Sequence, residues 1–465
     1  MINMVIDMKK TLSCFTIIIL IILTAVSCSE NTALRGNRLT FYDLRTDVWD
    51  EYYFSMLREI IDRYNEKDGV HNTDFEIEIV EFDSTKQMYE RMSTEIMAGG
   101  GPDIFSLEYM IPYEKLLKNQ VFADINTIVE SDKSKDKLNF DEYNTEVMNS
   151  GVFDGKRYII PLFYRPNILL TGSKTMEKFG IAKKQGTTLT YSNIESVFKK
   201  YFNDTQDYSF MFSQEQLWYG QSVLFDFIRD FIDFKNGKTY FDTAEFCNNL
   251  DSVKKIAENS NENYFLFDDR GKDGKLLFDV FTNLSLTDAQ DYGRGNRKSN
   301  SNPIIFNGLV NDKNTYSAKI ECGMAINANC NKDEKVLKFI KYLLSEDTQE
   351  YFCGDKEGSN YGGSNLITLP VRKEAYLHQK HLALDIQGEY VGEVIGRDKE
   401  YNKLAKTYMN IAENINQISL YSNFGTSYYR KNVIGDIVDD YLKSKINKEK
   451  FIQQLTNTTE MYLNE

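Results

Sequence analysis

Ala98-Gly99-Gly100-Gly101-Pro102-Asp103-Ile104 is the stretch on which the fold turns. Three glycines and a proline stop a helix, and Pro102 holds its predecessor extended. Upstream, Met88, Met92 and Ile96 recur at helical spacing. Downstream, Ile104 to Leu107 is a short apolar run that reads as a strand. Phe75 to Val80 alternates apolar and acidic residues with period two, a strand with one wet face. Trp49, Tyr53, Met56, Leu57, Ile60, Ile61 and Tyr64 share one helical face, and Gly69 stops that helix. Leu39 to Tyr42 opens the series as a strand. A β-α-β-α-β run with right-handed crossovers builds a parallel, doubly wound sheet. Ligands of such sheets sit outside the carboxyl ends of the strands.

Further on, Tyr316 to Ala328 reads as a strand and Glu334 to Leu344 as an amphipathic helix. The chain closes with two helices. One runs from about Val433 to Leu442; the other is capped by Asn447 and carries Phe451, Leu455 and Tyr462. Residues 185–310 show the weakest periodicity.

Composition narrows the function. Of 465 residues, 42% are hydrophobic and 27% charged, enough for a packed core. The net charge of −14 argues against nucleic acid as a partner, which needs a basic footprint. Three His and six Cys disfavour a multi-His metal centre or a disulfide-dense scaffold. His378 and His381 lack acidic or Cys partners nearby in sequence, and Val280 stands where the Glu of a calcium loop begun by Asp269 and Asp273 belongs. No metal and no cofactor are expected. Cys322 and Cys330 flank a strand turn and are candidates to pair outside the cytoplasm; Cys247 and Cys353 are left as buried thiols. No nucleophile elbow, zinc-protease motif or phosphate loop is present, so no catalytic residue is assigned.

The first residues carry their own message. Lys9-Lys10, the uncharged apolar run within Thr11 to Val26 and the small residues before Cys28 form an export signal. Ala25-Val26-Ser27-Cys28 resembles the bacterial lipoprotein box, which implies lipidation of the Cys28 thiol. Residues 1–27 are then a signal peptide and residues 28–38 a lipidated tether.

Several segments together resemble the extracellular solute-binding family, to which maltose-binding proteins belong. They are the glycine turn at 98–104, Val121 to Ile125, Gly155 to Leu162, Glu321 to Asn327, Phe339 to Gln349 and Leu369 to Val371. The resemblance implies an α/β, periplasmic-binding-protein-like fold of two doubly wound lobes joined by a multi-strand hinge. The expected division is 39–162 plus 311–360 for the first lobe and 163–310 plus 361–465 for the second. It further implies a monomer that binds a sugar or oligosaccharide in the cleft and passes it to the permease subunits of an ABC importer. The protein would be held by its lipid on the outer face of the cell membrane. A secreted carbohydrate-active enzyme and the binding module of a sensor are the alternatives.

Sugar sites need aromatic rings for apolar sugar faces and paired polar groups for hydroxyls. Asp43 and Arg45 follow the first strand, and Glu108 and Tyr109 the third. The alternative for the first pair is a salt-bridged loop. Asp103 reads as structural, accepting backbone N–H groups. Tyr164 and Arg165 lie just past the crossover at Pro161; an Arg there leaves an anionic ligand such as a uronate open. Trp218 and Tyr219, adjacent in a polar context, are candidate stacking rings, as are Tyr421 and Phe424. Tyr361, in a Gly- and Ser-rich run, marks a candidate third hinge connection.

Overall fold

The computed structural model describes residues 38–45, 55–66, 76–108, 111–173, 176–177, 184, 186–193, 209–213, 219–234, 236–258, 276–280, 303–352, 368–384, 399–420 and 428–464. Two β-sheets organise them. The first contains β1 (Leu39–Leu44), β2 (Ile77–Phe82), β3 (Ile104–Ser106), β6 (Ile159–Pro166), β14 (Ser317–Ile326), β15 (Leu369–Pro370) and β16 (Gln417–Ser419). Its strand order is β15-β6-β14-β3-β1-β2, and β16 also pairs with β14. A small hairpin, β4 (Val152–Phe153) and β5 (Lys156–Arg157), precedes β6. The second sheet is built from β7 (Ile168–Gly172), β8 (Thr188–Thr190), β9 (Ser209–Ser213), β12 (Leu276–Val280) and β13 (Pro303–Val310), in the order β8-β13-β7-β12-β9. Between them in sequence lies a second hairpin, β10 (Ile232–Asp233) with β11 (Lys238–Thr239).

The expected β-α-β-α-β unit is present. Helix α1 (Met56–Tyr64) joins β1 to β2, α2 (Thr85–Met97) joins β2 to β3, and β1 pairs in parallel with both β2 and β3. Ser55 and Ser84 start the helices by accepting the N–H groups of Arg58 and Gln87. The glycine turn ends α2 as its sequence requires: Gly99 and Gly101 have φ of +79° and +101°, the region open to glycine. Asp103 then locks the turn to β1. Its Oδ2 accepts from the Thr40 N–H at 2.8 Å, the Thr40 hydroxyl at 3.0 Å and Lys332 Nζ at 2.8 Å. The backbone donor is thus on the neighbouring strand rather than in the glycine turn itself.

Further helices are α3 (Tyr113–Lys118), α4 (Tyr219–Arg229), α5 (Ala244–Glu258), α6 (Asp333–Leu343), α7 (Glu346–Phe352), α8 (Lys373–Leu384), α9 (Lys399–Glu413), α10 (Gly435–Leu442) and α11 (Lys448–Asn464). Asn447 caps α11 through its Oδ1, which accepts the Lys450 N–H.

Two hydrophobic cores result. The first gathers buried residues from Leu39 to Ile168, Ala318 to Phe352 and Leu369 to Leu420; the second gathers Leu169 to Ile256 and Tyr429 to Leu463. Strands β7 and β13 divide between them residue by residue. Ile168 and Ile305 belong to the first core, while Leu169, Ile304 and Phe306 belong to the second. This is the two-residue period of a strand covered on both faces. The expected boundary at residue 360 differs here. Residues 369–420 pack in the first core because β15 pairs with β6, β16 with β14, and α9 buries Leu404, Tyr408 and Ile411 there. Leu420 belongs to the first core and Tyr429 to the second, whereas Phe352 and Leu369, on either side of Tyr361, both belong to the first core. Cys322 and Cys330, candidates to pair, are both free thiols, as is Cys247; Cys353, Asp269 and Asp273 lie outside the described residues. His378 makes a 2.9 Å contact with Glu350. No group of three metal-ligating side chains, and no helix long and apolar enough to cross a membrane, occurs among the described residues.

Two passages between the cores run side by side. Asn167, the single residue between β6 and β7, donates its N–H to the Ser317 carbonyl and accepts the Gly308 N–H, both at 2.9 Å. Its side-chain amide donates to the Ser317 hydroxyl at 2.9 Å. A Cβ on Gly308 would lie 3.0 Å from the Asn167 carbonyl oxygen and 3.1 Å from its Cβ. Gly308→Ala is therefore expected to destabilise the protein by about 1–3 kcal/mol, the usual cost of overpacking against backbone. Urea denaturation measures it, and an unchanged midpoint would show that the crossing strands can separate freely.

Candidate functional site

A cleft of about 690 Å³ lies where the two cores meet. From the first core come Tyr113 and Glu114 at the start of α3, Phe153 and Tyr158 around the β4–β5 hairpin, and Gln417 of β16. The second core supplies Arg229 and Asp230 at the end of α4, Phe234 beyond β10, and Tyr462 near the end of α11. The rings of Tyr113, Phe153, Tyr158, Phe234 and Tyr462 wall it, and a few polar groups converge inside. That division of labour is typical of small-molecule sites.

Local sequence explains the placement. Strand β3 ends at Ser106, and the chain turns to begin α3 at Tyr113, just past the strand's carboxyl end. Glu114 is half-buried, but its carboxyl is enclosed. One oxygen, Oε2, accepts the Tyr462 hydroxyl at 3.2 Å, and Oε1 is buried with no hydrogen-bond partner. Burial pushes this carboxyl up to about 7. Burial also keeps the Tyr113 phenol protonated, well above its ordinary range. Lys115 lies 4.8 Å over the Tyr462 ring, and Lys118 donates to the Leu463 carbonyl at 2.9 Å.

The opposite wall is an ionic network. Arg229 contacts Asp226 at 3.2 Å and Asp230 at 3.7 Å, and Lys319 of β14 reaches Asp226 at 2.8 Å. Asp230 also accepts from Gln417 at 3.2 Å and Asn311 at 3.3 Å. Burial raises the Asp230 carboxyl to about 6. Burial acts on Asp226 in the same direction, but Lys319 and Arg229 outweigh it and hold that carboxyl low.

None of the described residues expected from the sequence to bind ligand lines this cleft. Asp43 and Glu108 do stand at strand ends, and they converge on the start of α1. Glu108 accepts the N–H groups of Met56 at 2.7 Å and Leu57 at 3.0 Å and the hydroxyls of Ser55 and Ser106. Burial nevertheless raises its carboxyl to about 7. Asp43 pairs with Arg58 at 3.3 Å. Arg45 makes an exposed pair with Asp83 at 3.3 Å, the loop arrangement weighed as its alternative. Tyr164 is buried in β6, its hydroxyl accepting from Asn144 at 3.3 Å. Arg165 forms a buried ion pair with Glu321 at 2.9 Å. The backbone of Tyr219 opens α4. Tyr109, Trp218, Tyr361, Tyr421 and Phe424, like Cys28, lie outside the described residues.

Glu114, Arg229, Asp230 and Tyr462 are candidate site residues that sequence reasoning misses. Tyr462 reads as a core position of the last helix, and the others sit at helix ends without a motif. The one signal pointing to Glu114 is its place a few residues beyond the third strand.

The family model for bacterial extracellular solute-binding proteins matches residues 59–366, and the chain belongs to that family. No curated protein matches it. Solved structures are similar over most of the chain. A putative oligosaccharide periplasmic-binding protein from Synechococcus sp. MITs9220 has 10% identity and a TM-score of 0.59, covering 92% of this chain and 99% of its own. The sugar-binding protein MalE from Xanthomonas citri has 12% identity and a TM-score of 0.57, covering 92% and 97%. A substrate-binding protein from Listeria monocytogenes in complex with cycloalternan has 12% identity and a TM-score of 0.55, covering 92% and 99%. At such identities these likenesses establish the fold, a periplasmic-binding-protein-like α/β architecture.

The enclosed Glu114 carboxyl has a consequence for stability. Its proton is held more tightly in the folded chain, at about 7, than at the ordinary value of 4.5. Below pH 4.5 the group is neutral in both states and costs nothing; as pH rises through 7 the fold must hold an enclosed anion, and stability falls. Glu114→Gln is expected to be more stable than the parent at pH 8, by roughly 1–3 kcal/mol, and equal to it near pH 4. Urea titrations at both pH values check this, and an equal gain at both would locate the effect away from ionisation.

Proposed function

We propose that this member of the bacterial extracellular solute-binding family binds a sugar or oligosaccharide in the cleft between its two cores and delivers it unaltered to the permease of an ABC importer. The cores act as lobes, and the passages near Asn167 and between Val310 and Ser317 act as the hinge. The observation that carries the reading is the composition of the cleft. Aromatic rings from both cores face a space of about 690 Å³ that also holds carboxylates, an arginine and an amide. Rings suit the apolar faces of sugars, and mixed acceptors and donors suit their hydroxyls. Structurally similar proteins support it, being described with cycloalternan, α-D-tagatose and maltotriose bound. Closure of the lobes over ligand would present the loaded form to the permease. Lipid on Cys28 would hold the protein at the outer face of the membrane; an acidic chain of net charge −14 gains nothing from anionic lipid, so the acyl chains supply the attachment.

Isothermal titration of the purified protein against neutral, amino and acidic oligosaccharides tests the binding. At least one is expected to bind, and Tyr158→Ala and Phe234→Ala are each expected to weaken it about tenfold, the loss of one stacked ring. Mass spectrometry of the recovered sugar should show it intact; cleavage would mark an enzyme instead. Cys28→Ala should move the protein from the membrane fraction to the medium, and unchanged membrane association would remove the lipid anchor from the account.

A further inference from the structure

Every described cation near the floor of the cleft is already committed to protein. Arg229 is shared between Asp226 and Asp230. Lys115 sits over the Tyr462 ring, and Lys118 is bonded to the Leu463 carbonyl. Arg165, the residue that left an anionic ligand open, is paired with Glu321 inside the first core and does not line the cleft. The buried polar atom without a partner among the cleft-lining carboxylates is Oε1 of Glu114, an acceptor. Its sister oxygen is fixed by the Tyr462 hydroxyl, so the carboxylate cannot rotate to satisfy Oε1 without giving up that bond.

We propose that Glu114 sets the chemical class of the ligand: the cleft takes carbohydrates that present a hydroxyl or ammonium group to its floor and rejects sugar acids that present a carboxylate there. The inference rests on the carbohydrate reading of this cleft. A donor completes the enclosed acceptor and recovers the cost of leaving it unpaired. Above pH 7, where the Glu114 carboxyl is ionised, a uronate brings like charge against it and finds no uncommitted guanidinium among the described lining residues to fork onto. The selectivity works through rejection of the wrong class as much as attraction of the right one.

The test is a titration panel at pH 8 of oligosaccharides of three kinds: neutral gluco-, galacto- and xylo-oligomers, glucosamine oligomers, and galacturonate and glucuronate oligomers. The full chain is expected to bind neutral or amino members at least about tenfold more tightly than the uronates. Glu114→Gln, which keeps an acceptor but removes the charge, should narrow that gap to within about threefold. Glu114→Asp, which keeps the charge, should preserve the preference and guards against a Gln variant that folds poorly. Uronates binding the unsubstituted protein as tightly as neutral sugars would overturn this inference and leave the carbohydrate reading standing. So would an unchanged preference in Glu114→Gln. Failure of every sugar to bind would remove the carbohydrate reading, and this inference with it.

Discussion

The structure depends on the antiparallel pairing of β14 with β6. Both strands begin or end at a passage between the cores, and both are almost wholly buried along their length. On its other edge β14 takes β3 near its carboxyl end and β16 near its start. One ten-residue strand therefore fixes the parallel β2-β1-β3 unit, the two passages at Asn167 and Ser317, and the late segment that returns the chain to the first core. Its register against β6 shifts around Cys322, so the strand bulges there. The bulge brings Gly323 against Leu107, whose N–H bonds the Gly323 carbonyl at 2.9 Å, and sets Cys322 beside Glu108. The end of β3 is thus held by the hinge strand itself. The chain leading into α3, which carries Tyr113 and Glu114, therefore starts from a rigid point.

That anchoring explains how carboxylates at similar positions play different parts. Glu108 lies at the carboxyl end of β3, where ligands of doubly wound sheets are found. Here its two oxygens take four donors from Ser55, Met56, Leu57 and Ser106, and so fasten the first turn of α1 to the end of the strand. Glu114, further along the chain, accepts the Tyr462 hydroxyl on Oε2 and leaves Oε1 without a hydrogen-bond partner. A buried acceptor with all its partners is structure; a buried acceptor short of one carries a desolvation cost that a ligand can relieve.

Much of the first core is legible in the sequence because its signals are local. The alternation of 75–80, the helical stripe ending at Tyr64, the Met88-Met92-Ile96 spacing and the glycine turn each show in a short window, and each is borne out where the structure describes it. The same holds for β14, α6 and the two closing helices. The second sheet is not legible in that way. Most of its strands are short, and they pair with partners far off in the chain, as β7 does with β13, so no local window contains the pattern. The return of residues 369–420 to the first core is hidden for the same reason, since β15 and β16 are two and three residues long. The cleft does not show because it has no motif. Its polar residues come from helix ends and one short strand, and only the tertiary fold brings Glu114 and Tyr462, 348 positions apart, to hydrogen-bonding distance.

The contacts that cross the cleft also bear on how it would open and close. Tyr462 to Glu114, Lys118 to the Leu463 carbonyl, Lys319 to Asp226 and Gln417 to Asp230 each join an element of the first core to one of the second. These are single polar contacts, each worth about 1–3 kcal/mol where a charged group takes part. A few such contacts hold two lobes together without fusing them, whereas a continuous apolar seam of the same extent would. A ligand shifts a two-state equilibrium only by the difference in its contacts with the two states. A small set of polar contacts keeps the required difference small. Lys319, in the strand that anchors the first sheet, and Asp226, in a helix of the second core, place one of these contacts beside the passage between lobes. There a small rotation about the passage changes distances least.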